Sequence, residues 1–218
     1  MELLHQFVDI ILHLDQHING WISLFGPAIY LLLFLVIFAE TGVVVAPFLP
    51  GDSLLFALGA LTAVDGAYLD ITILMISLNV AAILGDAANY SIGRFIGPRI
   101  FREGSRFLKK EHLDKAHAFY QKHGGKAIII ARFAPILRTF APFVAGVAQM
   151  NYRQFAAYNV VGGLAWVSSF LLAGRFFGNI PQIKSNFHIV ILAIIVLSLM
   201  PVFIEYLRSI RAKKDAAN

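Results

Sequence analysis

The chain has no cysteine, which excludes disulfides, thiolate metal sites and thiol nucleophiles while leaving the redox compartment open. It also has no lysine or arginine before Arg94, although Glu2, Asp9, Asp15, Glu40, Asp52, Asp65, Asp70 and Asp86 all fall in that stretch. Charge of either sign is scarce, at 14% of 218 residues against 58% hydrophobic, and the mean hydropathy is +0.72. That balance is too apolar for an ordinary soluble domain and points to a membrane protein. No metal-ligand spacing and no Ser-His-Asp arrangement is visible, so neither a metal nor another cofactor is expected. The first residues lack a basic segment and a small-residue cleavage site, so the N-terminus is expected to stay in the mature protein. At about 20 apolar residues per span, the chain holds a few spans in one membrane domain, with no room for a separate catalytic module.

The apolar residues are grouped. Residues 2–19 carry Leu3, Phe7, Ile10, Ile11, Leu14 and Ile18 on one helical face and polar residues on the other, the pattern of an amphipathic interfacial helix. Residues 27–64 are apolar apart from Glu40 and Thr41, until Pro47, Pro50, Gly51 and Asp52 interrupt them. The second arm is about 12 residues, roughly 18 Å of helix and too short to cross, so the segment reads as a re-entrant hairpin. Residues 71–93 form a full span, with Asp86 and Asn89 one turn apart on one side. Residues 94–126 hold a run of Lys and Arg and read as a cytoplasmic basic loop. The same bias explains the net charge of +5 without nucleic-acid binding. His117 and His123 in this loop read as solvated side chains.

Residues 127–150 are interrupted at Arg132, Pro135, Arg138 and Pro142 and form a second re-entrant hairpin. Residues 154–178 and 187–207 are full spans, and the basic tail 208–218 is cytoplasmic. The expected fold is therefore an all-α integral membrane protein. It has two inverted re-entrant hairpins, each followed by a transmembrane helix, with amphipathic interfacial helices and a final C-terminal span. Two broken hairpins in corresponding halves are the sequence sign of an internal repeat in a transporter, and their tips are the natural place for a site.

Glu40, Asp52, Arg132 and Arg138 sit in or beside those breaks, where an isolated charge would cost several kcal/mol. They should therefore face one another or a cavity. Mutual neutralisation alone is the plainer reading. The functional one is that arginine forks hold a phosphate or carboxylate while Glu40 and Asp52 carry protons. Asp86 and Asn89 either line the same cavity or bond a neighbouring helix.

The stretches Phe38-Ala39-Glu40-Thr41-Gly42 and Pro47-Phe48-Leu49-Pro50-Gly51-Asp52-Ser53, then Gly85-Asp86-Ala87-Ala88-Asn89-Tyr90, then Arg132-Phe133-Ala134-Pro135-Ile136-Leu137-Arg138 with Pro142 and Gly146, resemble the signatures of the DedA family. The likeness covers essentially the whole chain. It implies a bacterial inner-membrane protein of the superfamily that includes eukaryotic lipid scramblases, with two opposed re-entrant hairpins. It also implies a link to proton motive force, envelope integrity and cell division, and in several members the return of undecaprenyl phosphate across the membrane. In the family, the positions matching Glu40, Asp52, Arg132 and Arg138 are the required ones.

The expected function is a proton-linked flippase of a lipid phosphate, with the headgroup at the arginines and carboxylate protonation driving release. The expected partners are membrane lipids bearing a polyprenyl or phospholipid phosphate, protons, and a second copy of the chain if it forms a homo-oligomer. No nucleic acid is expected. The competing readings are a proton-coupled exchanger of a soluble ion or drug, a phospholipid scramblase, and, further off, a lipid phosphatase or a scaffold. The phosphatase reading lacks a histidine nucleophile within the hairpins.

Overall fold

In the computed structural model of the protein, the described residues are 20–21, 24–43, 51–63, 67–100, 124–178 and scattered positions between 180 and 196. They are helical, without strands. A 3₁₀ turn, Gly26–Ala28, leads into α1 (Ile29–Gly42), followed by α2 (Gly51–Leu61), α3 (Ile71–Ile100), α4 (Lys126–Ala131), α5 (Pro135–Val147) and α6 (Tyr152–Phe177). The expected amphipathic helix 2–19, the breakers Pro47 and Pro50, most of the basic loop, most of the span 187–207 and the tail 208–218 lie outside the described residues.

Two stretches, Ile71–Ile96 and Tyr152–Phe177, each have 26 residues and are apolar enough to cross a membrane. At 1.5 Å per residue each is about 39 Å long, more than a hydrocarbon core of about 30 Å. By contrast α1 has 14 residues, α2 has 11 and α5 has 13, or about 16–21 Å each, less than that core. Asp70 starts α3 by accepting from the amides of Thr72 (2.7 Å) and Ile73 (3.0 Å). Those two bonds, Ile73 first, hold its carboxyl below the usual range. Asn151 caps α6 in the same way, accepting from Arg153 and Gln154.

Three sequence boundaries shift. Helix α3 does not end at residue 93 but runs on to Ile100, because hydrogen bonding along a helix is indifferent to where the apolar composition stops. Pro135 is a start, not an interruption: after the extended Ala134 it occupies the first turn of α5, where its missing N–H costs nothing. Pro142 was expected to break the second hairpin and does not. Helix α5 continues through it, forgoing only the intrahelical bond that would reach the Arg138 carbonyl. Neighbouring helices support such a proline at membrane depth.

The larger helix contacts follow an exchange symmetry, which the smaller contacts of α5 with α4 and with α1 do not share. Helices α1 and α5 pack on α3, α2 and α4 pack on α6, and α3 packs on α6. Exchanging α1, α2 and α3 for α4, α5 and α6 leaves these pairings unchanged. The closest contacts obey it too. A Cβ at Gly59 of α2 would overlap the Leu171 carbonyl oxygen of α6, and one at Gly174 of α6 would overlap that of Phe56. In the exchanged pair, a Cβ at Gly146 of α5 would meet the Tyr90 oxygen of α3, and one at Gly93 of α3 that of Phe143. Each helix thus offers a glycine three residues after the carbonyl that its partner's glycine touches, and both crossings bring backbone against backbone.

Two apolar cores result. One gathers Ile29, Leu33 and Ile37 with Leu55, Leu58, Leu74, Leu78 and Leu171. The other gathers Tyr90, Ile128, Ala145, Met150 and Phe155. Along α3 the first core ends at Ala82 and the second begins at Tyr90, and along α6 Phe155 belongs to one and Trp166 to the other. The polar residues occupy the layer between. Outside, Leu31, Leu35, Ile76, Phe133, Leu137, Val161 and Leu164 are exposed. A buried polar layer under an apolar exterior is the arrangement that suits a lipid solvent.

Candidate functional site

The polar layer draws on every part of the bundle. Glu40 arrives from the last turn of α1, Asp52 from the first turn of α2 and Asp86 from the middle of α3. Arg132 lies in the three-residue break between α4 and α5, and Arg138 lies one turn into α5. All five are buried, none more than 6% exposed, and neither arginine reaches the lipid-facing surface. Asp86 and Trp166 each sit within about one turn of the middle of their spans, which places the layer near mid-depth.

Arg138 ties the two halves together. Its Nη1 donates to Glu40 Oε1 at 2.9 Å, its Nη2 to Asp52 Oδ1 at 2.5 Å, and its Nε to the Arg132 carbonyl at 3.0 Å. Trp166 of α6 completes the group: the guanidinium carbon stands 4.2 Å from the ring centroid, and the indole Nε1 donates to the same Asp52 oxygen at 2.8 Å. The stacked cation and the shared carboxylate fix the rotamer of each partner. Gly51 explains how Glu40 comes so close, since any Cβ there would overlap its carboxylate.

Arg132 belongs to a second group. Its Nη2 donates to Asp86 Oδ2 at 2.6 Å, to Asn159 Oδ1, and at 3.4 Å to the Ala82 carbonyl. Asn159 is oriented in turn by its own donation to the Ile83 carbonyl at 2.9 Å. Gly162 of α6 faces the Arg132 side chain, where a Cβ would crowd its Cδ and Nε. The Nε and Nη1 of Arg132 and the Oδ1 of Asp86 are buried with no hydrogen-bond partner. Asn89 takes no part in either ion pair. Its amide donates to the carbonyls of Thr41 (3.1 Å) and Thr139 (2.7 Å), so it joins the end of α1 to α5.

The expected quartet is therefore real in space but divided. Glu40, Asp52 and Arg138 form one group, Arg132 pairs with Asp86 instead, and Arg138 Nε bonded to the Arg132 carbonyl connects the two. Of the alternatives for the third-helix pair, Asp86 lines the charged layer and Asn89 bonds neighbouring helices. Asn159 and Trp166 were missed. An Asn inside an apolar span, and a Trp far from either interface, were the available signals.

Removing the Asp86 charge isolates a buried guanidinium. Asp86→Asn is expected to cost about 3–5 kcal/mol, read as a lower unfolding temperature in detergent. The double replacement Asp86→Leu with Arg132→Met should recover much of that loss, because it removes both desolvation costs together.

A helical bundle with a polar mid-depth layer and an apolar exterior defines an integral membrane protein with a charged interior site. The VTT domain family model matches residues 49–176, and the chain belongs to that family. It is 50% identical over 218 residues to Protein DedA of Escherichia coli (strain K12), covering all of both chains. It is 43% identical over 195 residues to an uncharacterized membrane protein of Mycobacterium tuberculosis (strain ATCC 25618 / H37Rv), covering 89% of this chain and 86% of that one. To the inner membrane protein YqjA of Escherichia coli (strain K12) it is 36% identical over 182 residues, covering 83% of this chain and 81% of that one. No solved structure matches.

Proposed function

We propose that the protein is a proton-linked transporter of the inner membrane that flips a lipid phosphate, such as undecaprenyl phosphate, in support of envelope integrity and cell division. The observation that carries this reading is the buried charged layer at mid-depth, built from both halves of the chain, in which Arg132 keeps unpartnered donors.

The short helices support re-entrant hairpins over 27–64 and 127–150, each followed by a span, and the exchange symmetry of the packing supports a repeat. In this topology the hairpins enter from opposite sides, residues 187–207 add a last span, and the basic loop and tail lie in the cytoplasm. The lipid tail stays in the bilayer while its headgroup reaches Arg132, and Glu40 and Asp52 carry the protons. This is transport and not catalysis.

The test is movement of labelled undecaprenyl phosphate by purified protein in liposomes under an imposed proton gradient. Wild type should accelerate it in a gradient-dependent way and Arg132→Ala should return it to the protein-free rate. Equal movement by the two proteins would overturn the reading.

A further inference from the structure

Arg138 has three neighbours bonded to its three nitrogens and an indole over its face. Two of those neighbours are carboxylates of this same chain. A phosphate or carboxylate ligand approaching Arg138 must compete with Glu40 and Asp52 for the same donors. The charge count points the same way. The layer holds Glu40, Asp52 and Asp86 against Arg132 and Arg138, three negative groups to two positive, so when fully ionised it carries one excess negative charge and repels an anion. The cost of that excess charge is large where water is scarce.

Resting on the transport reading above, we propose that proton uptake by the Glu40–Asp52 pair loads the anion site, so that a phosphate-bearing ligand binds together with protons and is not expelled by them. One proton makes the layer neutral. It also removes one of the two anionic competitors for Arg138, beside the unpartnered donors of Arg132. Arg138 favours the ionised pair and so opposes uptake, whereas the excess negative charge, to which Asp86 adds, favours it. Helix α3 presents Asp86, already held by Arg132; the break and α5 present only the two arginines; and α6 presents Asn159 and Trp166, neither of which titrates. The sign is opposite to the sequence-based expectation that protonation drives release. That expectation treated the arginines as free for substrate, whereas the carboxylates are bonded to Arg138 and occupy it until they are neutralised. Ligand and proton therefore cross in the same direction.

The test is binding to purified protein in nanodiscs, with empty nanodiscs as background. Two phosphodiester probes, dodecyl methyl phosphate and dimethyl phosphate, keep a single negative charge throughout, so any pH dependence belongs to the protein. From about pH 7.5 to about pH 5.5, affinity should rise by up to about tenfold per pH unit for each proton taken up. The Glu40→Gln, Asp52→Asn variant, whose neutral side chains stand in for protonated acids, should bind more tightly than wild type at about pH 7.5 and with a shallower profile. Binding of the dodecyl ester alone assigns the ligand to a lipid headgroup, and equal binding of dimethyl phosphate assigns it to a soluble oxyanion; a rising slope supports the proposal in either arm. Affinity that is flat or falls with acidification in wild type overturns the proposal and leaves the transport reading standing. Failure of both probes to bind wild type and the double variant at every pH overturns the anion site itself.

Discussion

Arg138→Lys should lose transport as completely as Arg138→Ala, a fall of about a hundredfold or more at matched membrane levels. The charge is kept, so charge is not what fails. Arg138 serves Glu40, Asp52 and the Arg132 carbonyl from three separate nitrogens while its plane lies over Trp166. A lysine ammonium is one point on a flexible stem. It has no plane to stack, and it loses its proton far more readily than arginine when desolvated. Each charged hydrogen bond left unmade is worth about 1.5–3 kcal/mol, and two of them exceed a hundredfold. Sequence reasoning expects the arginine fork to grip a ligand. In the structure it grips two carboxylates from the other half of the molecule, so the same substitution tests the junction of the halves. Near-normal transport by the lysine variant, in the liposome assay described above, would show that the junction needs only a positive charge.

The second large effect is steric. Leucine at Gly93 or at Gly174 is expected to prevent assembly of the folded bundle. Size-exclusion chromatography in mild detergent should show aggregated protein in place of a single folded peak. At both positions even a Cβ would overlap a carbonyl oxygen of the facing helix, Phe143 in one case and Phe56 in the other. Ordinary overpacking costs about 1–3 kcal/mol because side chains can shift; here the obstacle is backbone, which moves only if the helices separate. Gly20→Leu is the control, since nothing lies within 4 Å of a Cβ there, and it should elute as wild type does. The exchange symmetry adds that the two disruptive variants should behave alike, although they lie in opposite halves of the chain.

Much of the architecture was legible because lipid imposes one-dimensional rules. Spans near 71–93 and 154–178 follow from length and composition, and the interruptions at Gly51 and Arg132 follow from breakers and charge inside apolar runs. Proline was the less reliable guide. Pro135 and Pro142 look alike in the sequence, yet one opens α5 and the other lies within it. The difference is whether the preceding residue is extended, which Ala134 is and which no local rule assigned. The sequence also put Glu40, Asp52, Arg132 and Arg138 in one group, because buried charges must find partners.

What the sequence determined by itself was thus the solvent of this protein, the positions of its spans and breaks, and the residues whose charge has to be answered. Those depend on composition and spacing alone. Which charge answers which was decided by tertiary structure. That Arg132 turns to Asp86 and Asn159 while Arg138 takes both Glu40 and Asp52 depends on how close the helices come. That closeness is set by Gly51 under the Glu40 carboxylate, by Gly162 beside Arg132, and by the glycines where α2 meets α6 and α3 meets α5. A missing Cβ has no partner until the facing backbone is in place.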